Sequence, residues 1–157
     1  MRLNLGCGEE TIDRPGWVNA DLEPRKAGVV KADAYALPWE DSTVEQVVTS
    51  HVLEHLDVPR ALAEQRRVLR EGGEVLACIP DVAHEKEWIR FHLEEARARG
   101  DGEHHHHISN MTQAQLEAAL TAAGFEDVRP VLTTERWELP GKAWWQAAAR
   151  GRKAVRS

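Results

Sequence analysis

Cysteine is scarce: the 157-residue chain has two, Cys7 and Cys78. They lie far apart and Cys7 sits inside a glycine turn, so no disulfide framework is implied and a reducing, cytoplasmic setting is expected. Long apolar runs are missing too. Nothing approaches the roughly 18 residues of a membrane span, and the N-terminus has neither the charged nor the apolar region of a signal peptide. Positive charge is in short supply. Lys plus Arg number 20 against 26 Asp plus Glu, a net charge of −6 with neutral His, which argues against broad electrostatic binding of nucleic acid. The balance is uneven, because residues 139–157 hold Lys142, Arg150, Arg152, Lys153 and Arg156 and no acid. A basic, solvated tail is expected over residues 150–157. Hydrophobic residues at 42% and charged residues at 29% supply one buried core and exclude a disordered or fibrous chain.

What is present is an alternation of short apolar runs with helical patterns, as a parallel sheet with crossover helices requires. Residues 2–5 read as a first strand ended by Gly6-Cys7-Gly8, residues 17–20 as a second ending in Asp21, and residues 29–31 as a third ending at Asp33. About eight loop residues separate the first two strands, too few for a full crossover helix. Residues 44–49 form a fourth strand. A helix with Pro59 in its first turn and Ala61, Leu62, Val68 and Leu69 on one face is expected to run to Gly72-Gly73. Residues 74–79 follow as a fifth strand ending at Pro80-Asp81. A helix over 84–99 carries Trp88 and Phe91, and a polar loop follows it. Thr112-x-x-Gln115 is a capping box opening a helix whose face is Leu116, Ala119, Leu120 and Ala123, with Gly124 as its stop. Residues 127–133 and 143–149 complete the strands. The whole chain, 1–157, reads as one domain, with 82–111 as an insertion on the acceptor side.

A strand ending in Gly6-Cys7-Gly8 lets backbone approach a ligand closely. The spacing of the next acids sharpens this signal. Asp21 and Asp33 close the second and third strands, where open parallel sheets bind ligands. A carboxylate at the first position can accept two ribose hydroxyls and one at the second an adenine amino group. The dinucleotide alternative expects a third glycine and a helix pointing at a pyrophosphate. Here Glu9-Glu10 follow the glycines instead.

In these stretches, Leu3-Asn-Leu-Gly-Cys-Gly8, Gly16-Trp-Val-Asn-Ala-Asp21, Ala32-Asp-Ala-Tyr-Ala-Leu-Pro38, Ser50-His-Val-Leu-Glu-His-Leu56 and Arg67-Val-Leu-Arg-Glu-Gly-Gly73, the chain resembles the class I S-adenosylmethionine-dependent methyltransferases, particularly small bacterial members of the type-11 kind. The resemblance implies a Rossmann-like, doubly wound α/β fold with a mostly parallel seven-stranded sheet and an antiparallel last strand. The N-terminal cap helices of the family are expected to be absent, since the chain opens on its first strand. It also implies S-adenosylmethionine as cofactor and S-adenosylhomocysteine as product. By resemblance, the cofactor contacts are Leu5, Gly6, Cys7, Gly8, Asp21, Leu22, Asp33, Ala34, Ser50 and His51, with Gly6 and Gly8 under the methionine portion. Trp17 and Trp39 are expected around the cofactor half.

Methyl transfer from a sulfonium is an in-line displacement in which alignment supplies most of the acceleration. Where a base is used, His51 after the fourth strand and Asp81 after the fifth stand where it would sit. Against this, His51 can pack beneath the cofactor and Asp81 can cap a helix. A weaker alternative treats His51, Glu54 and His55 as a divalent-cation site, because some relatives bind a metal through a Glu-x-x-Glu-His stretch there; ordering of the helix entrance is the commoner role. His104 through His107 read as a solvated loop near the acceptor. The expected activity is methyl transfer to an O, N or C atom of a small molecule, without membrane or nucleic-acid partners. The alternatives are a non-catalytic nucleoside-binding protein and an RNA or protein methyltransferase. The apo fold is expected to tolerate loss of Asp21, as a carboxylate facing an open cleft.

Overall fold

The computed structural model describes residues 1–82, 109–131 and 146–155. Seven strands form one sheet in the order β3-β2-β1-β4-β5-β7-β6. They are β1 (Arg2–Leu5), β2 (Trp17–Asp21), β3 (Val30–Lys31), β4 (Val44–Ser50), β5 (Leu69–Pro80), β6 (Phe125–Pro130) and β7 (Gln146–Lys153), with helices α1 (Val58–Val68) and α2 (Gln113–Ala122). β1 pairs parallel with β2 and β4, β2 with β3, and β4 with β5, while β7 lies antiparallel between β5 and β6. This is a doubly wound sheet with one reversed strand. Its order reverses beside β1, and the strand ends there open onto a crevice.

One face of the sheet carries the main core. Leu3, Leu5, Ala20, Val47, Val75, Ala77, Ile79, Ala147 and Ala149 alternate inward along their strands and meet Ala61, Leu62 and Val68 of α1 and Leu116 and Leu120 of α2. Both helices begin as the sequence demands. Asp57 accepts the Arg60 N–H at the start of α1, with proline in the first turn. At α2 both halves of the Thr112/Gln115 capping box are formed. The opposite face carries a smaller cluster of Val48, Leu76, Cys78, Val131 and Ala148, with Trp17 packed against it.

Several expectations change here. α1 stops at Val68 instead of reaching the two glycines, because Leu69 turns extended and pairs with Val44. Gly73 then lies so close to other backbone that a Cβ would stand 2.8 Å from the Arg70 carbonyl oxygen and 3.0 Å from that of Glu45. The glycines therefore serve an irregularity in β5. The basic tail is also revised: residues 150–153 belong to β7. Arg150 and Arg152 pair with Glu74, and Lys153 Nζ donates to the Leu69 and Arg67 carbonyls at the end of α1, the helix end that favours a cation. The last two strands start and end a few residues from their expected positions, at 125–130 and 146–153. The expected helix over 84–99, Trp88, Phe91, His104 through His107, Trp144 and Trp145 lie outside the described residues. No helix among the described residues is long and apolar enough to cross a membrane.

Candidate functional site

The first crossover, residues 6–16, contains turns and bends but no helix. Side-chain amides hold it instead. Asn4 Nδ2 donates to Asn19 Oδ1 and to the Glu10 carbonyl, and Asn19 Oδ1 accepts the Ile12 N–H. A crossover this short leaves the glycine loop directly at the strand ends. Gly6 and Cys7 both donate backbone N–H groups to the Ala20 carbonyl. Gly6 has φ +67, and a Cβ on it would stand 2.3 Å from Val52 Cγ2. The position needs glycine twice over, for its dihedral and for its neighbour.

Asp21, at the end of β2, fixes the other side of the loop. Its Oδ2 accepts the Gly8 N–H at 2.8 Å and its Oδ1 the Glu23 N–H at 2.9 Å. The carboxylate thus has native backbone partners, so the expectation that the empty fold would not notice its loss is corrected. Asp33 Oδ1 accepts the Tyr35 N–H at 2.8 Å, which turns the chain just past β3. On the far side β4 ends at Ser50. His51 donates its N–H to the Cys78 carbonyl and then adopts φ +57, a left-handed conformation unusual for a residue with a Cβ. That bend swings the short 3₁₀ turn Leu53–His55 over the loop.

A cavity of about 580 Å³ lies between these segments, lined by Leu5, Gly6, Gly8, Asp21, Leu22, Asp33, Ala34 and His51. All eight stood among the cofactor contacts implied by resemblance. Cys7 and Ser50 do not line it. Cys7 is buried behind the loop, where burial and, second, the Asp21 charge push its thiol above the usual value. Asp81, the other base candidate, bridges to Met111 and does not line the cavity either. Trp17 and Trp39 do not line it: Trp17 packs against the smaller cluster and Trp39 against the main core. The three-ligand cation site is not assembled. Glu54 turns inward and pairs with His51, and no group of three or more candidate ligands exists among the described residues.

The sequence reading did not place Glu23, Arg25, Tyr35, Val52 and Leu56 at the cofactor, and they line the cavity together with Ala32 and His55. Tyr35 is the chain's single tyrosine and stands two residues after Asp33, a signal that was available. Its hydroxyl accepts the Asp57 N–H at 2.7 Å, and the Arg60 guanidinium lies 4.3 Å from its ring centroid. These contacts pin an aromatic face between the third strand and the start of α1. Arg25 and Glu23 sit in a loop without periodicity and gave no signal.

Residues 10–77 match the family whose description is Methyltransferase domain, of type 11. Over those residues the chain is similar to the type-11 methyltransferases. The methyltransferase fold extends beyond the matched residues. A methyltransferase of Thermotoga maritima, described as a possible histamine N-methyltransferase, superposes with TM-score 0.63 at 20% identity, covering 96% of this chain and 81% of that one. The phosphoethanolamine N-methyltransferase 2 of Haemonchus contortus, solved with phosphomonomethylethanolamine and S-adenosylhomocysteine, superposes with TM-score 0.64 at 15% identity. That match covers 98% of this chain and 48% of the larger enzyme. An uncharacterized 37.1 kDa protein of transposon TN4556 from Streptomyces fradiae is 46% identical over 50 residues, 31% of this chain and 14% of that protein.

Proposed function

We propose that this protein binds S-adenosylmethionine in the 580 Å³ cavity and transfers its methyl group to an O, N or C atom of a small molecule in a reducing, cytoplasmic setting. The observation that carries the reading is the pairing of the glycine loop with Asp21. A carboxylate has about four acceptor positions, and backbone N–H groups of Gly8 and Glu23 use two of them. Two remain, already oriented, for the adjacent hydroxyls of a ribose. Asp33 keeps acceptor capacity beyond its bond to Tyr35 for an adenine amino group, beside Ala34.

The cavity also suits a cation better than a pyrophosphate. Its charged lining residues are Asp21, Glu23 and Asp33 against Arg25, with His51 and His55 as the other titratable groups. No helix N-terminus follows the glycines to receive phosphate. When bound, S-adenosylmethionine supplies an electrophilic methyl group on a positively charged sulfur. The chain's residues hold the nucleoside, exclude water and align the acceptor, which for an in-line displacement supplies most of the rate. The net negative charge supports a small-molecule acceptor over nucleic acid.

Calorimetric titration tests the reading. S-adenosylhomocysteine is expected to bind and NAD is not, and ligand at a hundredfold over its dissociation constant stabilises the fold by about 2.7 kcal/mol. Equal responses to both ligands would refute it. Transfer of labelled methyl groups into metabolite pools separates an enzyme from a protein that only binds.

A further inference from the structure

Three arginines meet in a part of the sheet that the cofactor cavity does not reach. A second cavity, of about 340 Å³, is lined by Glu74 of β5, Arg150 and Arg152 of β7, and Asp127, Val128 and Arg129 of β6, and it shares no residue with the first. Glu74 stands opposite Arg152, while Cys78, further along the same strand, stands opposite Ser50 at the cofactor end of β4. The run from 74 to 78 spans about 13 Å, so the two cavities lie apart along the sheet.

Arg129 reaches this cavity through an irregularity. Glu126 pairs with Arg152 and Arg129 with Arg150, so β6 carries one residue more than β7 between the two pairs, and Asp127 within that bulge has φ +50. In a regular ladder Val128 would stand opposite Arg150 and Arg129 would turn to the other face. The bulge therefore adds a third arginine to a face that already holds two. The convergence is costly, because like charges directly opposite one another destabilise a strand pair. One acid serves two of the arginines: Glu74 Oε1 lies 2.9 Å from Arg152 and its Oε2 3.4 Å from Arg150. Asp127, 3.9 Å from Arg152, is 77% exposed and well screened by water. Arg129 makes no ion pair or hydrogen bond with a described residue, and Arg150 Nε is buried without an acceptor among them. Strain and unanswered charge at one place mark a site that a ligand completes.

We propose that this cavity binds a phosphate group carried by a small molecule, independently of methyl transfer. A tetrahedral dianion can take paired N–H donors from more than one guanidinium. A single carboxylate offers one planar edge, the part Glu74 already plays between Arg150 and Arg152. A long polyanion would run past the arginines onto Glu126 and Asp127 at the sheet edge, which disfavours nucleic acid. The bound phosphate answers the charge of Arg129 and ties edge strand β6 to β7.

The experiment follows thermal unfolding and calorimetric titration of the full chain with inorganic phosphate, phenyl phosphate and a short oligoribonucleotide, against chloride at matched ionic strength. Both phosphates are expected to bind and to raise the melting temperature beyond the chloride control, with phenyl phosphate the tighter because the cavity exceeds a bare oxyanion. Arg129→Gln weakens phenyl phosphate by about tenfold or more, while its melting temperature without phosphate does not fall. Arg129→Glu, which sets an acid opposite Arg150, raises the phosphate-free melting temperature and abolishes the phosphate response. A wild-type response no larger than that to chloride would overturn the proposal, and so would equal phosphate responses in wild type and Arg129→Glu. Oligoribonucleotide binding tighter than phenyl phosphate and lost in Arg129→Glu would overturn it in favour of nucleic acid.

Discussion

From β1 to β3 the chain crosses over twice without a helix, whereas from β4 to β6 it passes through α1 and α2 and buries their apolar faces against the sheet. The first half is held by polar ties to irregular backbone: Asn4 to Asn19, Asn19 to Ile12, Asp21 to Gly8 and Glu23, Asp33 to Tyr35. The second is held by Leu62, Val68, Leu116 and Leu120, all fully buried. The difference is physical. Apolar burial is non-directional and tolerates adjustment, while a binding cradle must fix donors and acceptors at defined places. A carboxylate that organises its own loop and keeps spare acceptor capacity does both tasks at once. Changes in the first half should therefore act on ligand and fold together, and changes in the helix-packed core of the second on fold alone.

Asp21→Ala breaks the comparison most severely. Losing two ribose hydrogen bonds to an ionised acceptor weakens S-adenosylhomocysteine binding by roughly two to four decades. Because Gly8 and Glu23 also lose their acceptor, the apo melting temperature falls by several degrees as well. Wild-type affinity in calorimetry would show that the ribose lies elsewhere. Gly6→Ala comes next, with an expected loss of about 1–3 kcal/mol from the left-handed φ and the overlap with Val52. Adding Val52→Ala relieves the overlap and leaves the dihedral cost, so denaturant unfolding of the double variant should recover only part of the stability.

Arg67→Ala probes the helix-backed half. Arg67 bonds Glu64, Asp41 and the Leu37 and Trp39 carbonyls, and its removal costs about 2 kcal/mol with ligand affinity unchanged. Thr112→Ala deletes the α2 cap for about 1 kcal/mol, again leaving binding intact. The smallest effect is one of pH. Arg67, followed by the Leu37 N–H, holds the Glu64 carboxyl below its ordinary value of 4.5, against the opposing effect of burial. That pair's contribution is present above the ordinary value and is lost as pH falls through the depressed one. Acid unfolding of wild type should therefore show a loss of stability below about 4.5 that Glu64→Gln lacks.

Legibility followed the same division. β1, β2 and β4 were readable within a residue because each is a short run with apolar positions, closed in β1 by Gly6 and in β2 by Asp21, and α2 because its capping box and Leu116/Leu120 spacing are local signals. The end of α1 was misplaced because Gly72-Gly73 looks the same in sequence whether it stops a helix or relaxes a strand, and only the pairing of Leu69 with Val44 separates the two. Arg150, Arg152 and Lys153 looked like a tail because charge says nothing of partners. Glu74 and the end of α1 claim them through contacts 76 to 86 residues away in sequence.

By itself the sequence determined the sheet's parallel character, the glycine loop, and the two acids at strand ends, since these depend on dihedral freedom and on patterns a few residues long. Tertiary structure alone decided that Tyr35 and Val52 wall the cavity, that Asp81 and Ser50 do not, and that Glu54 is buried against His51. Those facts depend on how β4 ends and where the chain bends after it. A bend at φ +57 in a histidine is a compromise among distant contacts that no local pattern encodes.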